Sequence, residues 1–256
     1  MTESKAYLKK EWLEFKRTHR LLAFCILFAV FAIMGPATAK LTPLLFEAFQ
    51  ADLETQGMQL VISEPVAMDS YMQFFKNLPI LLIIVIILFS GSFTGEFTKG
   101  TGVLMLTKGL SKRKMLFTKY ILWMLTTLGG IFLYLAIFMS YTAYYFKLTN
   151  LGGFFAAAGI YLIYIWFWLS LLLLMSVIIK SAGIVILGMG AVYFILSLIA
   201  IIPNAEHYLP TGLSQGVVFV ADPTVIKDFL PAILITCCLN IVLIIASALL
   251  VPRKEV

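Results

Sequence analysis

Chemistry has few places to happen in this chain. The ionisable residues stay almost entirely outside the long apolar runs, and the densest group lies in residues 95–119, GEFTKGTGVLMLTKGLSKRKMLFTK. That stretch carries Lys99, Lys108, Lys112, Arg113, Lys114 and Lys119 against one acid, Glu96. The two histidines, His19 and His207, fall outside the apolar runs. A bis-histidine haem, an HExxH zinc site and a Ser/His dyad within a bilayer therefore have no residues to use. His207, in the run NAEHY, reads as a surface histidine. A GxxxxGK[ST] cradle is missing, so the usual loop for hydrolysing ATP is not here. Cys25, Cys237 and Cys238 sit in apolar runs without CxxC spacing and read as small buried hydrophobes. No catalytic residue, no metal ligand and no cofactor is expected in this chain. With no acid inside the apolar runs, a proton relay of the kind secondary transporters use is also unsupported.

The elements that hold the basic stretch are hydrocarbon. Of 256 residues, 61% are hydrophobic and 12% charged, against roughly half and a quarter in soluble domains. The sequence therefore predicts an all-α integral membrane protein. Six charge-free stretches can cross about 30 Å of hydrocarbon: Leu21–Ala39, Asn77–Gly95, Tyr120–Phe146, Leu148–Ile179, Ser181–Ala205 and Phe229–Val251. Pro36, Pro79 and Pro203 are placed near span ends, where a missing backbone donor costs least. Gly183, Gly188 and Gly190 give the fifth span a face on which another helix could pack closely.

Residues 1–20 read as an interfacial helix, with Leu8, Trp12 and Phe15 on one side and Lys10, Glu14 and Arg17 on the other. Ala37-Thr38-Ala39 resembles a signal cleavage site, but three acids before the first run make a signal n-region a poorer fit than an uncleaved first span. Residues 21–256 then form the six-span domain, with a loop at 95–119 and opposite-face segments at 40–76 and 203–228. The first of these segments is amphipathic at Leu44, Leu45, Phe46 and Phe49. The second contains Val217-Val218-Phe219-Val220, too short to cross, and reads as a re-entrant or interfacial helical segment before the last span. With both termini, residues 95–119 and the turn at Lys180 inside, fifteen Lys/Arg lie on the inner face and only Lys40, Lys76, Lys147 and Lys227 outside. That bias places both termini in the cytoplasm. The net charge of +6 is directed at anionic lipid head groups, not nucleic acid.

Aromatic residues remain to be explained. Tyr134, Phe138, Tyr141, Tyr161, Tyr164 and Trp168 on the third and fourth spans are either interfacial anchors or the lining of a path for an amphipathic substrate.

Glu96, Gly100-Thr101, Leu104, Leu106, Ser111-Lys112-Arg113 and Lys119 resemble the signature that follows the second span of type-2 ABC exporter permeases. Gly109 stands where that family usually has Pro, and Lys112 where it usually has Arg. The resemblance implies that residues 102–107 form a coupling helix in a groove of a separate ATPase subunit, which holds the ATP and Mg. Glu96, Gly100, Thr101, Gly102, Val103, Leu104, Met105 and Leu106 would make the coupling region, with Leu104, Met105 and Leu106 as apolar anchors. Lys108, Lys112, Arg113, Lys114 and Lys119 would form a cytoplasmic basic cluster. Glu96 either pairs with Arg17 or Arg20 or is a solvated acid at a helix end. A second permease copy and export from a bacterial cell follow from the same resemblance, while the charge-free spans and many aromatic residues favour a lipophilic or amphipathic cargo such as a membrane-active peptide, a peptide antibiotic or a lipid-like molecule. Two other classes fit the sequence: a peptide-binding immunity or sensor protein, and an ATP-independent membrane-embedded enzyme or channel.

Overall fold

The computed structural model describes residues 3–54, 64–98 and 100–253, and among these every regular element is helical. In chain order they are α1 (Glu3–Arg17), α2 (Arg20–Glu54), α3 (Ala67–Thr98), α4 (Thr101–Thr107), α5 (Lys112–Tyr145), α6 (Leu151–Ile178), α7 (Ala182–Ile199), α8 (Gly216–Ala221) and α9 (Leu230–Leu250). Short 3-10 turns at Ala205–His207, Pro210–Ser214 and Pro223–Phe229 surround α8. Six of the helices, α2, α3, α5, α6, α7 and α9, are long and apolar enough to cross a membrane. The protein is an all-α integral membrane protein.

Two expectations about span ends change. At 35 residues α2 is about 50 Å long, far more than the hydrocarbon needs, and it continues through Ala39 to Glu54. α3 begins at Ala67, well before Asn77. Much of segment 40–76 is therefore the projecting ends of two membrane helices. Residues 55–63 and Lys99 lie outside the described residues, as do the side chains of Leu45, Phe46 and Phe49. Pro36 and Pro43 lie inside α2, and Pro79 inside α3. In apolar surroundings the remaining helical hydrogen bonds have no competitor, so the chain keeps its helix across Pro36 and Pro79.

The packing has a centre. α6 is 72% buried over its apolar window, whereas α7 and α9 are only 11% and 17% buried, so α6 is the post and the other two are outer staves. α2 packs along α5 and α3, and α9 runs along α6. At the heart, the Phe74 ring lies 4.8 Å from Tyr134, 4.9 Å from Phe138 and 5.0 Å from Phe154. Tyr120 joins Ser170 at 2.9 Å and accepts from Trp166 at 2.8 Å. Such interhelical bonds average only about 0.6 kcal/mol in membranes, so ring packing carries most of the fit.

The short helical element expected before the last span is present as α8 with its flanking turns, seated on α3 and α6. Phe219 and Val220 are fully buried, and Asn150 donates to the Val220 carbonyl at 2.7 Å. His207 is half-buried and not a surface residue. Its ring lies 4.6 Å from Phe229, because the preceding turn folds back over the start of α9.

Candidate functional site: the ionic joint and the α4 tip

α1, α4, the start of α5 and the end of α9 gather at one end of the bundle. Ser111 caps α5 by accepting from the Lys114 amide at 3.3 Å, and Arg113 Nε donates to the Ala248 carbonyl of α9 at 3.0 Å. Between α1, α3 and α5 lies a buried ionic joint.

Lys119 is its hub. Only 2% of its side chain is exposed, and its ammonium lies 2.6 Å from Glu11 Oε2 and 3.2 Å from Glu96 Oε1. Lys10 approaches Glu11 at 2.7 Å and Glu96 at 3.0 Å. Tyr7 donates to Glu96 Oε2 at 2.7 Å. Two carboxylates thus face two ammonium groups, so the buried core of the joint is neutral. Glu14, 3.0 Å from Lys10, adds charge only at its open rim, where its side chain is 55% exposed. Burial first, and then the Glu11 and Glu96 carboxylates, push the Tyr7 phenol far above its ordinary range and keep it a donor. Burial works against the Lys10 charge, but bonds to Glu11 and Glu14 and the Glu96 carboxylate outweigh it and raise the pKa.

The joint is tied to α4 directly: Thr101 Oγ1 donates to the Glu96 carbonyl at 3.3 Å. Gly100, at φ 73°, turns the chain into α4. Gly109, at φ 93°, closes it, with the Gly109 amide on the Leu106 carbonyl at 3.0 Å and the Leu110 amide on Met105 at 3.2 Å. These are the two bonds of a Schellman cap, and its apolar contact is supplied by buried Leu110 and half-buried Met105. The glycine in place of proline at 109 therefore has a local cause, since proline cannot adopt positive φ. Gly109→Ala should cost about 1–2 kcal/mol of local stability. Faster amide exchange across residues 102–110 checks this; unchanged exchange would show that the cap does not hold α4.

α4 presents an apolar tip. Gly102 is buried against the bundle, while Val103 is 41% and Leu104 54% exposed. Leu106 is half-buried, and Met105 packs inward on the core. Of the three expected anchors, Leu104 is the one turned fully outward.

Other expected positions are redistributed. Glu96 bonds to Lys10, Lys119 and Tyr7, not to Arg17 or Arg20, and it is buried, not solvated. Lys119 leaves the exposed basic group for the joint, whereas Lys108, Arg113 and Lys114 are exposed and Lys112 is half-buried. On α1 the buried stripe is Tyr7, Glu11 and Phe15. Leu8 is half-buried, Trp12 is 41% exposed and Arg17 is exposed. Tyr7, Glu11 and Lys10 were not singled out as partners of Glu96. The signal was the i, i+4 spacing that sets Glu11 on the same helix face as Tyr7 and Phe15. The six aromatic residues do not form one lining. Tyr134, Phe138 and Tyr161 are packed inside, Tyr141 is exposed, and only Tyr164 and Trp168 border the cleft described below.

A six-span helical bundle with a short helix at one end, beside a buried ionic joint, is the architecture of an integral membrane protein. The chain belongs to the ABC-2 transporter family: the family described as ABC-2 family transporter protein matches it over residues 6–230. No curated protein sequence matches the chain. Family membership makes it the transmembrane permease of an ABC transporter.

Proposed function

We propose that this permease is the membrane half of an ATP-driven exporter, working as a pair of copies with separate ATPase subunits on the cytoplasmic side of a bacterial membrane. The observation that carries this is the α4 tip. Val103 and Leu104 are apolar, exposed and held on a capped helix beside a buried ionic joint, which suits insertion of a few side chains into a partner's groove. The joint would pass the partner's movement to α1, α3 and α5 together as a rigid unit. The fifteen-to-four bias of basic residues supports a cytoplasmic position for this end and for both termini. For the second copy, the support is α7. A Cβ at Gly183 would meet nothing within 4 Å, so close approach is open there.

The cargo is read from a cleft of about 330 Å³ between α3, α6 and α7. Pro79, Ile83 and Ile86 form one wall, and Tyr164, Trp168 and Tyr193 the other. Among the described residues no Asp, Glu, Lys, Arg or His borders it. A charged group would find no counter-ion, so the bound part of the cargo is uncharged and apolar. A membrane-active peptide or lipid-like molecule meets that description, and its direction is outward.

Reconstitution with the ATPase into proteoliposomes tests the reading. Transport of a fluorescent amphipathic peptide should require hydrolysable ATP, and Tyr193→Ala should raise KM roughly five- to tenfold by removing a ring contact worth about 1–1.5 kcal/mol. Equal transport without nucleotide would refute the ATP-driven role. An unchanged KM would refute the cleft.

A further inference from the structure

A second cleft, remote from the cargo cleft, opens between α1, α2 and α5. Its volume is about 440 Å³, and Leu8, Trp12, Leu21, Phe24, Thr126 and Gly129 are among the residues that border it. The shape is set by two adjacent glycines of opposite use. A Cβ at Gly130 would collide with the Phe24 ring, so that glycine lets α2 close on α5. A Cβ at Gly129 would meet nothing within 4 Å, so that glycine leaves the cleft open.

The cleft is not purely apolar. The Thr126 hydroxyl is buried in a residue only 6% exposed and has no hydrogen-bond partner, although threonines elsewhere in these helices bond to the carbonyl four residues back. An unpaired hydroxyl in apolar surroundings calls for an acceptor. Beside the mouth, α1 presents a basic stripe. At 100° per residue, Lys5, Lys9 and Lys16 fall within about 40° of one another and flank Trp12. All three lysines are exposed.

We propose that this cleft is a binding site for one anionic phospholipid of the inner leaflet. An acyl chain fills the space left by Gly129, the ester region receives the Thr126 hydroxyl, and the phosphate faces Lys5, Lys9 and Lys16. Apolar length, one donor and then positive charge, in that order toward the interface, match a phospholipid from chain to head group. Because Leu8 and Trp12 belong to the helix that supplies Tyr7, Lys10 and Glu11 to the ionic joint, bound lipid would brace α1 against α5. This inference does not depend on the cargo or on the ATPase.

Full-length protein in phosphatidylcholine nanodiscs, doped with brominated-chain lipid, provides the test. The Trp12 signal is isolated as the difference from Trp12→Phe. Brominated phosphatidylglycerol should reach half-quenching at a mole fraction at least fivefold below that for brominated phosphatidylcholine. Lys5→Gln, Lys9→Gln and Lys16→Gln together should remove that preference. Gly129→Leu should reduce quenching by either lipid, because its side chain takes the chain's place. Equal half-points for the two lipids, unaffected by the lysine changes, would reduce the cleft to ordinary lipid contact and overturn the proposal. Efficient disulfide formation between two copies carrying Leu125→Cys would overturn it as well, since a second chain would then cover the cleft. The lysine variants lie on an exposed surface and stay informative even where Gly129→Leu does not fold.

Discussion

Lys119→Met should destabilise the protein by about 3–5 kcal/mol, the largest effect expected of any single change at the joint. The native ammonium is 2% exposed and bridges Glu11 and Glu96. Without it, two buried carboxylates share only Lys10, and one of them must be protonated or drawn toward water. The side chain itself is nearly isosteric, so the loss is electrostatic and not a packing defect. Adding Glu11→Gln should restore a large part of the loss, because the second change removes the stranded charge. The exposed rim behaves differently. Lys10 is 34% and Glu14 55% exposed, so Glu14→Gln should cost under about 1 kcal/mol. Unfolding in mixed micelles of increasing denaturing detergent measures all four proteins. A loss at Lys119→Met no larger than at Glu14→Gln, or no rescue by Glu11→Gln, would mean that the joint does not hold the entry helix.

Leu104→Asp should abolish coupled transport while leaving the permease folded. Leu104 is 54% exposed on a helix whose other side is packed, so a carboxylate there meets water in the free protein and costs it little. In a partner's groove the same carboxylate would be stripped of water without a counter-ion. Apolar anchors of this kind are worth 2 kcal/mol or more, so binding of the ATPase should weaken at least about 30-fold. Met105→Asp serves as the contrast. Met105 packs on the core, so that substitution should lower stability as well as binding. Binding of the ATPase to immobilised permease, read beside helicity and melting temperature, separates the two. Full binding by Leu104→Asp would remove α4 as the docking element.

Much of this architecture was legible from residues alone, for a physical reason: a run of twenty apolar residues has few alternatives to a membrane helix. The α4 boundaries were legible too, because Gly100 and Gly109 punctuate the short apolar run between them. What escaped was facing and reach. α5 is apolar around most of its circumference, so nothing local decides that Tyr134 points into the bundle and Tyr141 away from it. On α1 two stripes overlap: Leu8, Trp12 and Phe15, and Tyr7, Glu11 and Phe15. Only the presence of Lys119, 108 positions from Glu11, selects the second. A basic residue at the end of a basic stretch looks like one more surface charge until the acids that bury it are known. The passage of α2 through Pro36 escaped for a related reason, since a proline that ends a helix in water need not end one in hydrocarbon.

The central claim is that a separate ATPase grips the tip of α4. It is tested most directly by a photo-crosslinking amino acid at position 104, with a second at position 144, an exposed residue at the far end of α5. In membranes containing the full transporter, the probe at 104 should capture a P-loop ATPase, and ATP should alter the yield, while the probe at 144 captures none. Capture of that ATPase from 144, or its absence from 104 while transport remains ATP-dependent, would contradict the account.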